Sequence, residues 1–216
     1  MRALVGTAAR VRERGVAGML SSSLDDLAAW ASDEQSDILQ VAAPDGTVTL
    51  LFSDIEDSTA LNDRLGDKAW VRVLAAHDAL VRAMVDKRRG RVVKTAGDSF
   101  MVAFRDPVAA VLAARGIQRA LARTLDPRLR LTPVRVRIGV HTGTVISRDG
   151  DYFGRNVSMA ARVAALADGG EVLVTQAVRD ETSESGDRRM RFEEAGTVEL
   201  KGLPGEHDLW RLVVET

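Results

Sequence analysis

Apolar residues along this chain follow two periods, and the switches between them mark the elements. Thr47 to Asp54, TVTLLFSD, is a nearly continuous apolar run behind a glycine, which predicts a buried strand. Trp70, Val73, Leu74, His77, Val81 and Met84 then recur at helical spacing, so 60–88 reads as mostly helix, ended by Arg88-Arg89-Gly90. His77 falls on that stripe as a helix residue at the core's edge. In RVVKTAGDSFMVAF, residues 91–104, two β-prone runs flank Ala96-Gly97-Asp98, a hairpin signal. Asp106-Pro107 opens a second helix running to about Thr124. Residues 126–133 read as a loop, and VRVRIGVHTG, 134–143, alternates like a strand, with Gly143 suited to a turn. A helix over roughly 154–167 is stopped by Asp168-Gly169-Gly170, and 171–175 is a short strand. Residues 179–191 read as a solvated surface segment. The last strands fall near 191–200 and 207–214, around the turn KGLPGEH.

The predicted order is therefore β–α–β–β–α–β–α–β. A strand–helix unit precedes a hairpin and another follows it, which is the split βαβ plan of an α+β domain with a mixed or antiparallel sheet. Residues 1–45 read as an N-terminal helical extension: Ser23 and Asp26 resemble a capping box, LDDLAAWA follows, and APDG breaks the pattern. Residues 46–216 form the main domain.

Composition narrows the chemistry. Thirty basic residues nearly balance 31 acidic ones, so no bulk charge points to nucleic acid or an anionic membrane, and phosphate binding must be local. Without cysteine there is no disulfide, thiolate catalysis or Cys-ligated zinc, which fits a reducing, cytoplasmic setting. No apolar run approaches a membrane span, and the first twenty residues lack the continuous apolar core of a secretory signal. His77, His141 and His207 lie far apart and do not suggest a histidine metal site. His141 reads as structural, at a strand end.

Two aspartates raise a chemical question. Asp54 ends the first strand and Asp98 sits in the hairpin turn, so a split βαβ sheet brings both to one end. Carboxylates that close repel each other, and a divalent cation resolves the repulsion. Oxygen ligands without histidine or cysteine favour Mg²⁺ or Mn²⁺, held by carboxylates and substrate phosphates. Taken alone, the pair suits a helix cap and a turn slightly better. The helix entered through Ile55 to Thr59 shifts the balance, because its N-terminal amides can receive phosphate.

FSDIEDST, VVKTAGDSFMVAF, VRIGVHTG and DYFGRNVSMAARV resemble the successive motifs of class III nucleotidyl cyclase catalytic domains. The compact first motif looks most like a soluble mycobacterial adenylyl cyclase. The likeness runs from about 47 to 213. It implies palm-like, ferredoxin-like domains paired as a homodimer, with two shared active sites at the interface. By motif, Asp54 and Asp98 would bind two divalent cations with help from the Ile55 carbonyl. Phe52 and the stretch Glu56, Asp57, Ser58 and Thr59 would lie at the substrate, with amides on the triphosphate. Lys94 and Asp151 would read the purine, and Lys201 would lie near the phosphates. Arg162 would stabilise the transition state. Lysine can donate to a ring nitrogen and aspartate accept from the exocyclic amine, so this pair favours ATP over GTP. Ser158 stands where the family usually has a catalytic asparagine, which implies weakened turnover; Asn156, two positions earlier, points elsewhere. The resemblance thus implies an adenylate cyclase. The rival is a weak or inactive cyclase-homology module that binds nucleotide or dimerises.

Overall fold

The computed structural model describes residues 41–144, 151–187 and 189–215, except the side chains of 151–154. The helix expected after Ser23 lies outside the described residues. Strands β1 (Thr47–Ile55), β2 (Arg91–Ala96), β3 (Ser99–Phe104), β4 (Val136–Thr144), β5 (Val172–Thr175), β6 (Phe192–Leu200) and β7 (Leu203–Leu212) form one mixed sheet. Its order is β2-β3-β1-β4-β5-β7-β6. The first four strands realise the split βαβ plan. β1 is antiparallel to both β3 and β4, and β2 is antiparallel to β3, so each crossover joins parallel strands. Helices α1 (Ser58–Leu65) and α2 (Asp67–Asp86) make the first crossover, and α3 (Pro107–Ala122) the second.

Strand alternation divides the core. Leu51 and Ile55 of β1, with Phe100, Val102 and Phe104 of β3, pack against Val73, Val81 and Val85 of α2 and Val111, Ala114 and Ile117 of α3. Val48, Leu50, Phe52, Met101 and Ala103 face the other way, toward Val157, Ala160, Ala161 and Ala164 of α5 (Asp151–Leu166). This helix lies directly on β4. A Cβ at Gly139 would fall 2.1 Å from the Ala164 amide nitrogen and 2.8 Å from the Ala160 carbonyl oxygen. Only a missing side chain permits that approach.

Several elements differ from expectation. The helix predicted over 60–88 is two helices, because Gly66 takes a left-handed φ of 74° that breaks it. His77 is fully buried inside α2 rather than at the edge of the core. The expected loop at 126–133 contains α4 (Pro127–Leu131), whose first turn is capped by the Asp126 carboxylate accepting from the Arg128 amide at 2.9 Å. α5 starts three residues earlier than expected. The segment read as solvated begins inside α6 (Gln176–Glu184), a polar helix that buries only Val178 and Thr182. The last hairpin turns tightly at Lys201-Gly202, so β7 begins at Leu203. Among the described residues no helix is long and apolar enough to cross a membrane.

Candidate active site

β1 ends where the β2–β3 turn and the start of β4 meet. The sheet order hangs the hairpin turn over this end, because β3 lies between β2 and β1. Gly97, with φ of 60°, turns the chain so that Asp98 faces back. The Asp98 Oδ2 accepts from the Ile55 amide at 2.8 Å. Asp98 is thereby fixed beside the residue that follows Asp54.

Asp54 is only 2% exposed. Arg137 lies directly across from it on β4. The guanidinium grips the carboxylate with two donors, Nε to Oδ1 at 3.0 Å and Nη2 to Oδ2. Burial raises the pKa of Asp54, and so do the charges of Asp98 and Glu56, while the Arg137 bonds oppose the rise. Arg137 is the charge that makes a buried Asp54 tolerable here.

The donor set suits a hard divalent cation: two neighbouring carboxylates, a strand-end carbonyl at Ile55, and no histidine or sulfur. Among the described residues no group of three or more His, Cys, Asp or Glu side chains could hold a metal alone. Two carboxylates with remaining positions left to water and phosphate is a Mg²⁺-like arrangement.

The loop after β1 is only partly available to substrate. The Ile55 amide is spent on Asp98, and the Glu56 amide donates to the Arg135 carbonyl at 2.8 Å. The Glu56 carboxylate binds Gly169 and Arg135. Glu56 therefore does not offer its amide to a triphosphate, contrary to expectation. Asp57 adopts a left-handed φ of 54° and caps α1 without a side-chain bond. The first helical bond runs from the Leu61 amide to the Asp57 carbonyl, so the amides of Ser58, Thr59 and Ala60 have no acceptor within the helix. Those three remain suited to phosphate. Phe52 is wholly buried in the core and presents no side-chain surface to a substrate.

The remaining residues are distributed along the sheet. Lys94 pairs in register with Met101, which pairs with Phe52, so it lies two rungs below the Asp54 end. α5 runs antiparallel to β4: Asn156 lies against Gly143, and Ala160 and Ala164 against Gly139. Its first residue, Asp151, thus starts at the far end of the sheet, and Ser158 and Arg162 sit midway, both half-buried. Lys201, exposed in the β6–β7 turn, is also at the far end, since β6 runs away from the Asp54 end. One copy of the chain gathers Asp54, Asp98 and the first amides of α1 but leaves Asp151 and Lys201 remote from them.

Asn156 is committed elsewhere, as its spacing predicted. Its amide donates to the Thr144 carbonyl at 2.7 Å, and its oxygen lies 3.1 Å from the His141 Nε2. The other ring nitrogen of His141 meets the Thr175 hydroxyl at 3.0 Å. Burial lowers this histidine's pKa to about 4, with the Asn156 bond opposing and His207 adding to the fall. The role of Arg137 was missed from sequence. Its signal was two arginines alternating with apolar residues in VRVRIGV, which places Arg135 and Arg137 on the sheet face shared with Asp54.

Residues 41–214 match the family described as the adenylate and guanylate cyclase catalytic domain. The receptor-type adenylate cyclase ESAG 4 of Trypanosoma brucei brucei is 32% identical over 78% of this chain, which spans 17% of that protein. Receptor-type adenylate cyclase B of Leishmania donovani is 34% identical over 79% of this chain, which spans 16% of it. A solved Trypanosoma brucei adenylate cyclase structure, described as monomeric, superposes with a TM-score of 0.67 at 32% identity, covering 79% of this chain and 90% of the other. The Pseudomonas aeruginosa adenylyl cyclase CyaB shares the fold, with a TM-score of 0.66 at 21% identity over 79% of this chain and 95% of its own. With the fold and the sequence both matched, this chain belongs to the adenylate and guanylate cyclase catalytic domain family.

Proposed function

We propose that the domain converts ATP to 3′,5′-cyclic AMP and pyrophosphate, at two sites shared between two copies of the chain in the cytoplasm. The observation that carries this reading is the buried Asp54 held beside Asp98 at the entrance to a helix with open N-terminal amides. The similarity to named adenylate cyclases supports the reaction class. Lys94 and Asp151 support adenine over guanine by donor and acceptor chemistry.

In this reading the ribose 3′-hydroxyl gives its proton up to water and its oxygen attacks the α-phosphorus. The bond to the bridging oxygen breaks, and pyrophosphate leaves with the electron pair. Asp54, Asp98 and the Ile55 carbonyl would hold two Mg²⁺ or Mn²⁺ ions, which supply a more acidic hydroxyl and a counter-charge for the phosphates. The amides of Ser58 and Thr59 orient the triphosphate. Arg162 donates its planar guanidinium to the charge that grows on the α-phosphate, and Ser158 donates a shorter hydrogen bond than asparagine would. Lys201 of a second copy adds positive charge to the phosphates. The separation of Asp151 and Lys201 from Asp54 within one chain supports the shared site, because a second copy related by a twofold axis would bring its far end to this one.

The test is turnover of ATP and GTP with Mn²⁺ or Mg²⁺, with Asp54→Ala as control. Cyclic AMP from ATP, lost in the control, is expected; no cyclic AMP would sink the proposal. For the shared site, inactive Lys94→Ala and Asp54→Ala chains are mixed. Recovered activity is expected, and none would overturn sharing.

A further inference from the structure

Glu56, Arg135 and Gly169 come from three separated stretches of chain and close on one another. The Gly169 amide donates to the Glu56 Oε1 at 2.9 Å. The Gly169 carbonyl accepts from Arg135 twice, from Nη2 at 2.6 Å and Nε at 3.1 Å. The Arg135 Nη1 lies 3.3 Å from the Glu56 Oε2, and the Arg135 carbonyl accepts from the Glu56 amide at 2.8 Å. The knot leaves no room for a side chain at 169: a Cβ there would stand 2.4 Å from the Glu56 Oε2 and 2.6 Å from the Arg135 Cβ.

We propose that this knot is a clasp that positions the cation-holding end of β1, which makes Glu56 and Arg135 positioning residues for the reaction. The inference rests on Asp54 and Asp98 being the cation ligands. Each strap of the clasp leads to a site residue. Glu56 follows Ile55 directly, Arg135 immediately precedes β4 and lies two residues before Arg137, and Gly169 follows closely on α5, the helix of Ser158 and Arg162. The ion pair alone is worth little, since the Arg135 side chain is 65% exposed. Directional strength comes from backbone groups of Glu56, Arg135 and Gly169 that are bonded at the same time. Beside the clasp lies a cavity of about 280 Å³ lined by Glu56, Asp57, Leu61, Arg64, Pro133 and Arg135. An unlatched Glu56 has space to swing into it, and the strand end carrying Asp54 and Ile55 loses its lateral tie. Because the same clasp also ties the turn after α5, it fixes the carboxylate end of the site relative to the helix that carries Ser158 and Arg162.

Plain electrostatics and a clasp predict different signs. Removing the Glu56 charge near Asp54 weakens cation binding by Coulomb's law alone, and removing the Arg135 charge strengthens it. Breaking a clasp weakens binding in both cases. The probe is Mn²⁺ alone, titrated into the full chain and followed by the electron paramagnetic resonance signal of free Mn²⁺. Wild type, Glu56→Ala, Glu56→Gln, Arg135→Met, Gly169→Ala and the Glu56→Ala/Arg135→Met double variant are compared, with melting temperature and the kcat and KM for ATP measured in parallel. Glu56→Ala and Arg135→Met are both expected to weaken Mn²⁺ binding about tenfold, as residues that orient metal ligands do. They should also lower kcat more than they raise KM, and the double variant should be no worse than the poorer single. Glu56→Gln, which keeps an acceptor for the Gly169 amide, falls between wild type and Glu56→Ala. Gly169→Ala, which leaves every charge in place, weakens Mn²⁺ binding as well. Tighter Mn²⁺ binding by Arg135→Met overturns the clasp. So does a lower melting temperature with Mn²⁺ affinity and kcat unchanged. A wild type that binds no Mn²⁺ also overturns it. A wild type that binds Mn²⁺ without making cyclic AMP refutes the cyclase reading alone, and the clasp is then judged on binding.

Discussion

Replacing Arg137 by methionine leaves Asp54 buried without its partner. The side chains are 11% and 3% exposed, so solvent cannot take over the lost pairing. Removing one member of such a buried pair costs about 3–5 kcal/mol. At about 2–4 °C per kcal/mol for a chain of this size, the lower figure lowers the melting temperature by about 6–12 °C. Asp98 aggravates the loss, because its charge already disfavours an ionised Asp54. A divalent cation supplies what Arg137 supplied. In wild type the cation must first displace the guanidinium from the Asp54 carboxylate, whereas in Arg137→Met it has no competitor. Mn²⁺ should therefore raise the melting temperature of the variant more than that of wild type. At a hundredfold excess over Kd the stabilisation is about 2.7 kcal/mol, enough to recover most of the deficit. The assay is thermal unfolding followed by circular dichroism, with and without Mn²⁺. Adding Asp98→Ala in the Arg137→Met background should abolish the recovery. A variant that melts within about 2 °C of wild type without metal, or an equal Mn²⁺ shift in both proteins, refutes the argument.

Further outcomes follow from single positions. Gly139→Ala places a Cβ 2.1 Å from the Ala164 amide nitrogen, so α5 must move off β4; a loss of about 2–3 kcal/mol in urea unfolding is expected, with lower turnover as Arg162 shifts. His141 is held neutral, with its pKa lowered to about 4 from an ordinary 6.5. The unfolded chain binds the proton more readily, so the stability due to this site is complete above about pH 6.5 and falls toward pH 4, by at most about 3 kcal/mol. His141→Gln should remove that part of the acid loss, and identical pH–stability curves for the two proteins would refute it. Ser158→Asn restores a longer donor at the transition state, and about a tenfold gain in turnover is expected; no gain, or a loss, would count against Ser158 as the donor.

The split βαβ order was legible because its signals are local. Alternation in TVTLLFSD and VRVRIGV, a glycine-centred hairpin and a Pro-opened helix each need only a few residues. The errors share a different cause. Gly66 interrupts a stripe whose apolar spacing carries on regardless, so periodicity alone merges α1 and α2. α6 shows almost no apolar face, since it needs only Val178 and Thr182 to dock. His77 ranks as polar by composition, yet it is buried edge-on to Phe100 with ring centroids 5.8 Å apart.

The carboxylate pair was legible for the same local reason, as a strand end and a hairpin turn. Its counter-charge was not, because Asp54 and Arg137 are separated by 83 positions and meet only through strand register. Glu56 shows the same limit in sharper form. In sequence it belongs to a string of acids and suggests an amide for phosphate. In the fold its amide, its carboxylate and its neighbours Arg135 and Gly169 are spent on one another. A motif can thus mark where chemistry happens without separating the residues that perform it from those that hold them in place. That division follows from hydrogen-bond accounting: a group whose donors and acceptors are all engaged within the chain is not available to a substrate. By that criterion the Ser58 and Thr59 amides stay open at the start of α1, while the Ile55 and Glu56 amides bind the protein to itself.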